Sequence, residues 1–189
     1  MLMKYVGIVV VVVILLVIML YNRLVALRQT RNNAFSDIDV QLKQRYDLIP
    51  NLVESVKGYA AHEKGVLENV TAARAKVGQA QGTTGADRMQ AEGMLGGALS
   101  RLLVVAENYP ALKADANFRE LMDELTDIEN KIAASRRFFN NATNEYNTAV
   151  QQFPASLFAG AFGFHTEPFF EVSTEEKQAI EKAPEVKFG

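Results

Sequence analysis

The first residues that could do chemistry are His62 and Glu63. A histidine followed by glutamate opens the HExxH zinc-protease motif, which needs a second imidazole four residues on so that both face one metal from one helix side. Here the run continues Lys64, Gly65, Val66, so the second ligand is missing. A second group is Glu129, Arg136, Asn140 and Asn147, spaced by seven, four and seven along one helical pattern. With Asn51, Glu54 and Glu63 on a neighbouring helix they could form a polar layer. A carboxylate-bridged metal centre would add a Glu-x-x-His pair on facing helices, and no histidine is available for it. No G-x-S-x-G or GxxxxGK[ST] occurs, and neither His62 nor His165 has a serine and carboxylate set. The sequence therefore predicts no catalytic residue, no metal site and no cofactor. It predicts instead a buried polar network of Arg45, Glu63, Glu129, Arg136, Asn140 and Asn147 that sets helix register.

Composition narrows the class further. Twenty basic and 22 acidic residues in 189 are interspersed and leave a net charge of −2. Nucleic acid would require a concentrated basic face, so no such partner is expected. Cysteine is absent, which excludes disulfides, thiolate catalysis and lipoprotein acylation.

The elements that position these groups begin with an anchor. Residues 5–21, YVGIVVVVVILLVIMLY, carry no charge. At 1.5 Å per residue they cover ~25 Å, and Lys4, Arg23 and the two flanking tyrosines extend the span to both interfaces. The run is too long for a signal-peptide core and lacks an A-x-A site after it. A single uncleaved transmembrane helix in a lipid bilayer is expected. Arg23, Arg28 and Arg31 follow it against Lys4 and the amino terminus before it. The positive-inside rule then puts the C-terminal domain in the cytoplasm, with the periplasm as the alternative.

Helical spacing continues beyond the span. Leu20, Leu24, Leu27, Arg31, Ala34, Ile38, Gln41, Arg45 and Leu48 alternate threes and fours, which predicts one rod from the span to about residue 48 unless Asn32-Asn33 breaks it. Pro50 should end or kink it. Arg31, Gln41 and Arg45 intrude on the apolar seam and require solvent or acidic partners. The pattern predicts helices over about 22–48, 50–77, 86–107 and 115–153, with a flexible loop over 78–87 between the second and third. The last helix places Phe118, Leu121, Leu125, Ile128, Ile132, Ser135, Phe139, Ala142, Tyr146, Ala149 and Phe153 on one seam, a spacing that favours coiled-coil-like packing. Asp115 or Asn117 would cap it and Pro154 would end it.

Beyond Pro154, Phe158, Phe162, Phe164, Phe169 and Phe170 join Phe153 among Gly, Ala and Pro. This reads as an apolar strap that must dock on the helices, on a second subunit or on the membrane surface. From Ser173 a capping-box pattern with Glu176 predicts a short frayed helix.

Residues 36–64, SDIDVQLKQRYDLIPNLVESVKGYAAHEK, resemble the bacterial LemA family. So do AENYPALKADANF (106–118), the FNN…EYN segment (139–147) and Gln152-Phe153-Pro154. The similarity covers nearly the whole chain; Phe139 stands where the family tends to have tyrosine. It implies an all-α fold, an N-terminal transmembrane helix running into a long antiparallel four-helix bundle. It also implies a bacterial inner-membrane location and no established activity, cofactor or ligand. A related domain occurs in a magnetosome membrane protein, and members are often encoded beside membrane proteases. The function expected is a self-associating, homo-oligomeric scaffold, with an adaptor for a membrane protease or other membrane complex as the alternative.

Overall fold

The computed structural model describes residues 2–60, 62–81 and 86–170. Its elements are α1 (Leu2–Tyr59), α2 (Lys64–Gln79), α3 (Ala86–Ala106), α4 (Pro110–Ala114) and α5 (Ala116–Gln151), then two 3-10 turns, Ala155–Leu157 and Gly160–Phe162. The described residues form helices and turns with no strand. Residues 82–85 of the predicted 78–87 loop and all of the predicted helix from Ser173 lie outside the described residues, while 78–79 belong to α2 and 86–87 to α3.

The valine and isoleucine run of α1 has modest helix propensity in water because β-branched side chains lose rotamer freedom. It is helical nonetheless, and no residue of its most apolar window is buried within the chain. A bilayer removes the competition from water and obliges each backbone group to pair within its own segment, which a helix does. Among the described residues, α1 is the one helix long and apolar enough to cross a membrane.

The chain packs as two units, with the division falling within α1 and within α5. The first comprises residues 2–39 and 133–169. Its core gathers Leu24 of α1, Tyr146, Ala149 and Val150 of α5, and Ala155, Ala159 and Phe164 beyond it. Phe35 and Phe139 meet edge to face at 5.7 Å. The second comprises residues 40–132 and Phe170. There Leu42, Ile49, Leu52 and Val56 of α1 are buried with Val70 and Val77 of α2, Leu95 and Leu102 of α3, and Leu125 and Ile128 of α5.

Helix α1 passes unbroken through Asn32-Asn33, but it also passes through Pro50, where the sequence predicts an end. The reason is a donor supplied from another helix. Proline lacks the N–H that would bond the carbonyl four residues back, that of Tyr46. Arg74 of α2 donates Nε–H to this carbonyl at 3.1 Å, and its guanidinium lies 3.9 Å from the centre of the Tyr46 ring. Gly78, one turn further along α2, keeps the Tyr46 hydroxyl clear: a Cβ there would sit 3.1 Å from it. The predicted second helix is consequently split. Its first part belongs to α1, and the chain turns between Tyr59 and Lys64 before α2 begins.

Two further boundaries have local causes. Pro110 opens α4 at a first-turn position where its missing N–H has no intrahelical role. Asp115 then caps α5, accepting the Phe118 N–H at 2.9 Å and the Tyr59 hydroxyl at 2.9 Å. The Phe118 N–H, followed by the Tyr59 hydroxyl, holds the Asp115 carboxyl below the usual carboxylate range. At the other end α5 stops at Gln151, so Phe153 leaves the predicted seam and is 79% exposed.

Replacing Arg74 by Met strands the Tyr46 carbonyl and is expected to cost about 1–3 kcal/mol. In a Pro50→Ala background the restored N–H satisfies that carbonyl, so the same substitution costs about 1 kcal/mol less. Thermal unfolding of the four full-length variants in detergent, followed by circular dichroism, checks this. Equal Arg74→Met penalties in both backgrounds would contradict it.

Candidate functional site

In the unit of residues 40–132 the polar groups converge on Arg45. Its position on α1 is one of the apolar seam sites, so the side chain is carried inward among Leu42, Leu48 and Ile49. Nη2 meets Glu92 Oε2 at 2.7 Å and Nη1 meets Glu129 Oε1 at 2.9 Å. Nη2 also donates to the Glu92 carbonyl at 3.3 Å. Arg88, one turn before Glu92 on α3, donates Nε–H to Glu92 Oε1 at 2.8 Å. The Arg45 and Glu92 side chains are 5% and 3% exposed, while Glu129 is 41% exposed and shares its charge with solvent. Burial works against the charged guanidinium, but Glu129 and Glu92 outweigh it and hold the Arg45 pKa above its ordinary value. The arrangement thus ties α1, α3 and α5 through one cation. Arg45 Nε and the Oε1 of Gln41, one turn earlier, find no hydrogen-bond partner among the described residues.

The six residues of the predicted network are distributed over both units. Arg45 and Glu129 come together. Glu63 lies elsewhere in the same unit, just before α2, accepting the Tyr109 hydroxyl at 3.2 Å; His62 beside it is exposed. Arg136, Asn140 and Asn147 fall in the other unit, the first two half-buried and Asn147 buried. Sequence reasoning missed Arg88 and Glu92. Their signal was present: positions 88, 92, 95, 99, 102 and 106 of α3 step by fours and threes and are all buried.

In the unit of residues 2–39 and 133–169 the polar groups hold the strap. Asn147 of α5 makes a two-point clamp on the backbone of Glu167, its amide donating to the carbonyl at 2.9 Å and its oxygen accepting the N–H at 2.8 Å. Arg31 of α1 pairs with the Glu167 carboxylate at 3.4 Å and donates to Thr143 Oγ1 at 3.2 Å and to the Pro168 carbonyl at 3.3 Å. Its guanidinium also covers the Phe139 ring at 4.8 Å. The acidic partner that Arg31 requires is therefore in the strap, whereas those of Arg45 are on neighbouring helices.

The strap docks within its own chain. Phe164 is buried between Tyr21, 5.4 Å away edge to face, and the Arg28 guanidinium, 4.8 Å from its centre. Phe158 packs partly against the same core and Phe170 is buried in the second unit. Phe153, Phe162 and Phe169 keep much of their surface exposed. Among the described residues no three His, Asp or Glu side chains are placed to hold a metal ion.

An all-helical chain with one candidate membrane span, a helical unit tied by buried ions and a clamped apolar strap defines a helical protein with an N-terminal membrane-anchor candidate. It belongs to the LemA family, whose model matches residues 34–188. The chain is 26% identical to magnetosome protein MamQ of Magnetospirillum gryphiswaldense over 177 residues, covering 81% of this chain and 65% of that protein. It is 25% identical to MamQ 2 of Paramagnetospirillum magneticum, covering 82% and 65%. Identity to protein LemA of Metamycoplasma hominis is 24% over 160 residues, covering 85% and 73%. The chain thus spans about two thirds of the length of the MamQ relatives.

Arg45→Met leaves Glu92 buried with its ion pair to Arg88 but without the cation that joins it to α1, and is expected to destabilise the protein by about 3–5 kcal/mol. Lys43→Met, which breaks an ion pair of two largely exposed side chains, should leave stability nearly unchanged. Chemical unfolding of the full-length variants in detergent decides it, and similar midpoints for both would contradict the role given to Arg45.

Proposed function

We propose that this protein is a non-enzymatic, single-pass membrane scaffold that self-associates at the bacterial inner membrane, with an antiparallel four-helix bundle on the cytoplasmic side. The observation that carries the reading is the exposed apolar surface of α1, from Val6 to Met19, in a helix that continues into packed, charge-tied segments. Parallel protomers in one membrane can bury that surface against one another, and Gly7 leaves open space for close helix approach. The excess of Arg23, Arg28 and Arg31 after the span supports the cytoplasmic side. Arg45, Glu92, Glu129, Arg31 and Asn147 are engaged in holding helices and strap, which supports a structural role.

The strap's engagement with its own α1 and α5 shifts the place of self-association from the phenylalanines to the membrane helix. Light scattering of the detergent-solubilised full chain, corrected for bound detergent, should give a protein mass several times the 20.9 kDa of one chain. A mass of one chain across a range of mild detergents would overturn the scaffold reading. A stoichiometric second protein retained through the same purification would favour the adaptor reading instead.

A further inference from the structure

The strap carries a second apolar surface with a defined position along α1. From residue 146 to residue 164 the sequence contains no charged side chain, the longest such run after the membrane span. Ala155, Ala159 and Phe164 turn into the core beside Leu24 and Tyr146, which fixes the two 3-10 turns in place. Leu157 and Phe162 are left 75% and 49% exposed by that docking.

The depth of Phe162 follows from its neighbour Tyr21. Tyr21 ends the uncharged run of α1 and is the residue type that settles at a headgroup interface. Its ring meets Phe162 edge to face at 5.4 Å, so Phe162 lies at the same level. Further along α1, Arg28 covers Phe164 and Arg31 pairs with Glu167. The strap is therefore graded in the same sense as the helix it lies on, apolar beside Tyr21 and charged some ten residues, or about 15 Å, farther from the span. That polarity runs in the direction of a membrane interface, from apolar to charged.

We infer that the turns bearing Leu157 and Phe162 are a second membrane contact, inserted into the headgroup and upper acyl region of the leaflet that receives the Tyr21 end of α1. The occupant of this surface is lipid, since it is continuous with the surface of the span. The inference rests on α1 crossing the bilayer. Two contacts separated along the chain would hold the helix against rotation about its own axis, which a lone span does not do.

The chain has no tryptophan, so one substitution supplies a single reporter. Phe162→Trp, Leu157→Trp and Val11→Trp are each reconstituted as full-length protein in phosphatidylethanolamine and phosphatidylglycerol vesicles containing lipids brominated at defined depths. Val11→Trp should lose most of its fluorescence to bromine deep in the acyl chains. Phe162→Trp and Leu157→Trp should emit to the blue of an aqueous tryptophan and lose most of their fluorescence to bromine near the headgroup, little to bromine at the chain ends. Deep quenching of Val11→Trp with red, unquenched emission from both strap reporters overturns the inference and leaves the span intact. Blue but unquenched strap emission also overturns it, by assigning the surface to protein. Failure of Val11→Trp to be quenched overturns the span, and this inference with it.

Discussion

The structure of the second unit depends on one buried cation. A guanidinium taken out of water is tolerable only where carboxylates and carbonyls replace its hydration. Arg45 finds these on two other helices, Glu92 on α3 and Glu129 on α5. Apolar side chains along the same seam would pack nearly as well after one helix slides by a turn. The ion cluster would not, because a shift of one turn moves the charges apart by about 5.4 Å and leaves Arg45 and Glu92 buried without each other. Burial alone supplies little uniqueness in a helical pack rich in Leu, Val and Ala. The specificity of register comes from the ions, and Arg88 adds to it by engaging the second oxygen of Glu92.

Much of this was legible in the sequence. Leu24, Ala34, Ile38, Arg45 and Leu48 are buried as their spacing predicts, and Arg45, an intrusion on the α1 seam, pairs with Glu129, which flanks the α5 seam. The helical character and the family were equally readable. Three features were not. The continuation of α1 through Pro50 depends on Arg74, 24 residues away, donating to a carbonyl that the local rule leaves empty. The role of Glu92 was obscured because helix three looks apolar overall, although its buried stripe includes two charges. The partners of Asn147 and Glu63, the Glu167 backbone and the Tyr109 hydroxyl, were hidden because helical spacing records which face a residue occupies and not which segment covers that face.

The strap illustrates the same division between pattern and partner. Its composition demands a docking surface, and the surface turns out to be the stretch of α1 around Leu24 and the C-terminal end of α5. Arg31 looks misplaced on an apolar seam until Glu167 arrives from the strap, and Asn147 fixes the same residue through its backbone. A charged seam position on α1 and a buried amide on α5 thereby act together on a segment that has no regular backbone ladder of its own. Of what the docking leaves uncovered, Phe162 lies beside Tyr21, the residue that closes the candidate membrane span.

The claim that a single ion cluster makes α1, α3 and α5 one cooperative unit is tested most directly by hydrogen exchange on the Glu92→Gln variant of the full chain in detergent micelles. A shared cation predicts that amide protection falls together in residues 40–59, 87–106 and 116–132, on three segments far apart in sequence. Loss of protection confined to α3, with the other two segments exchanging as in the parent protein, would contradict it.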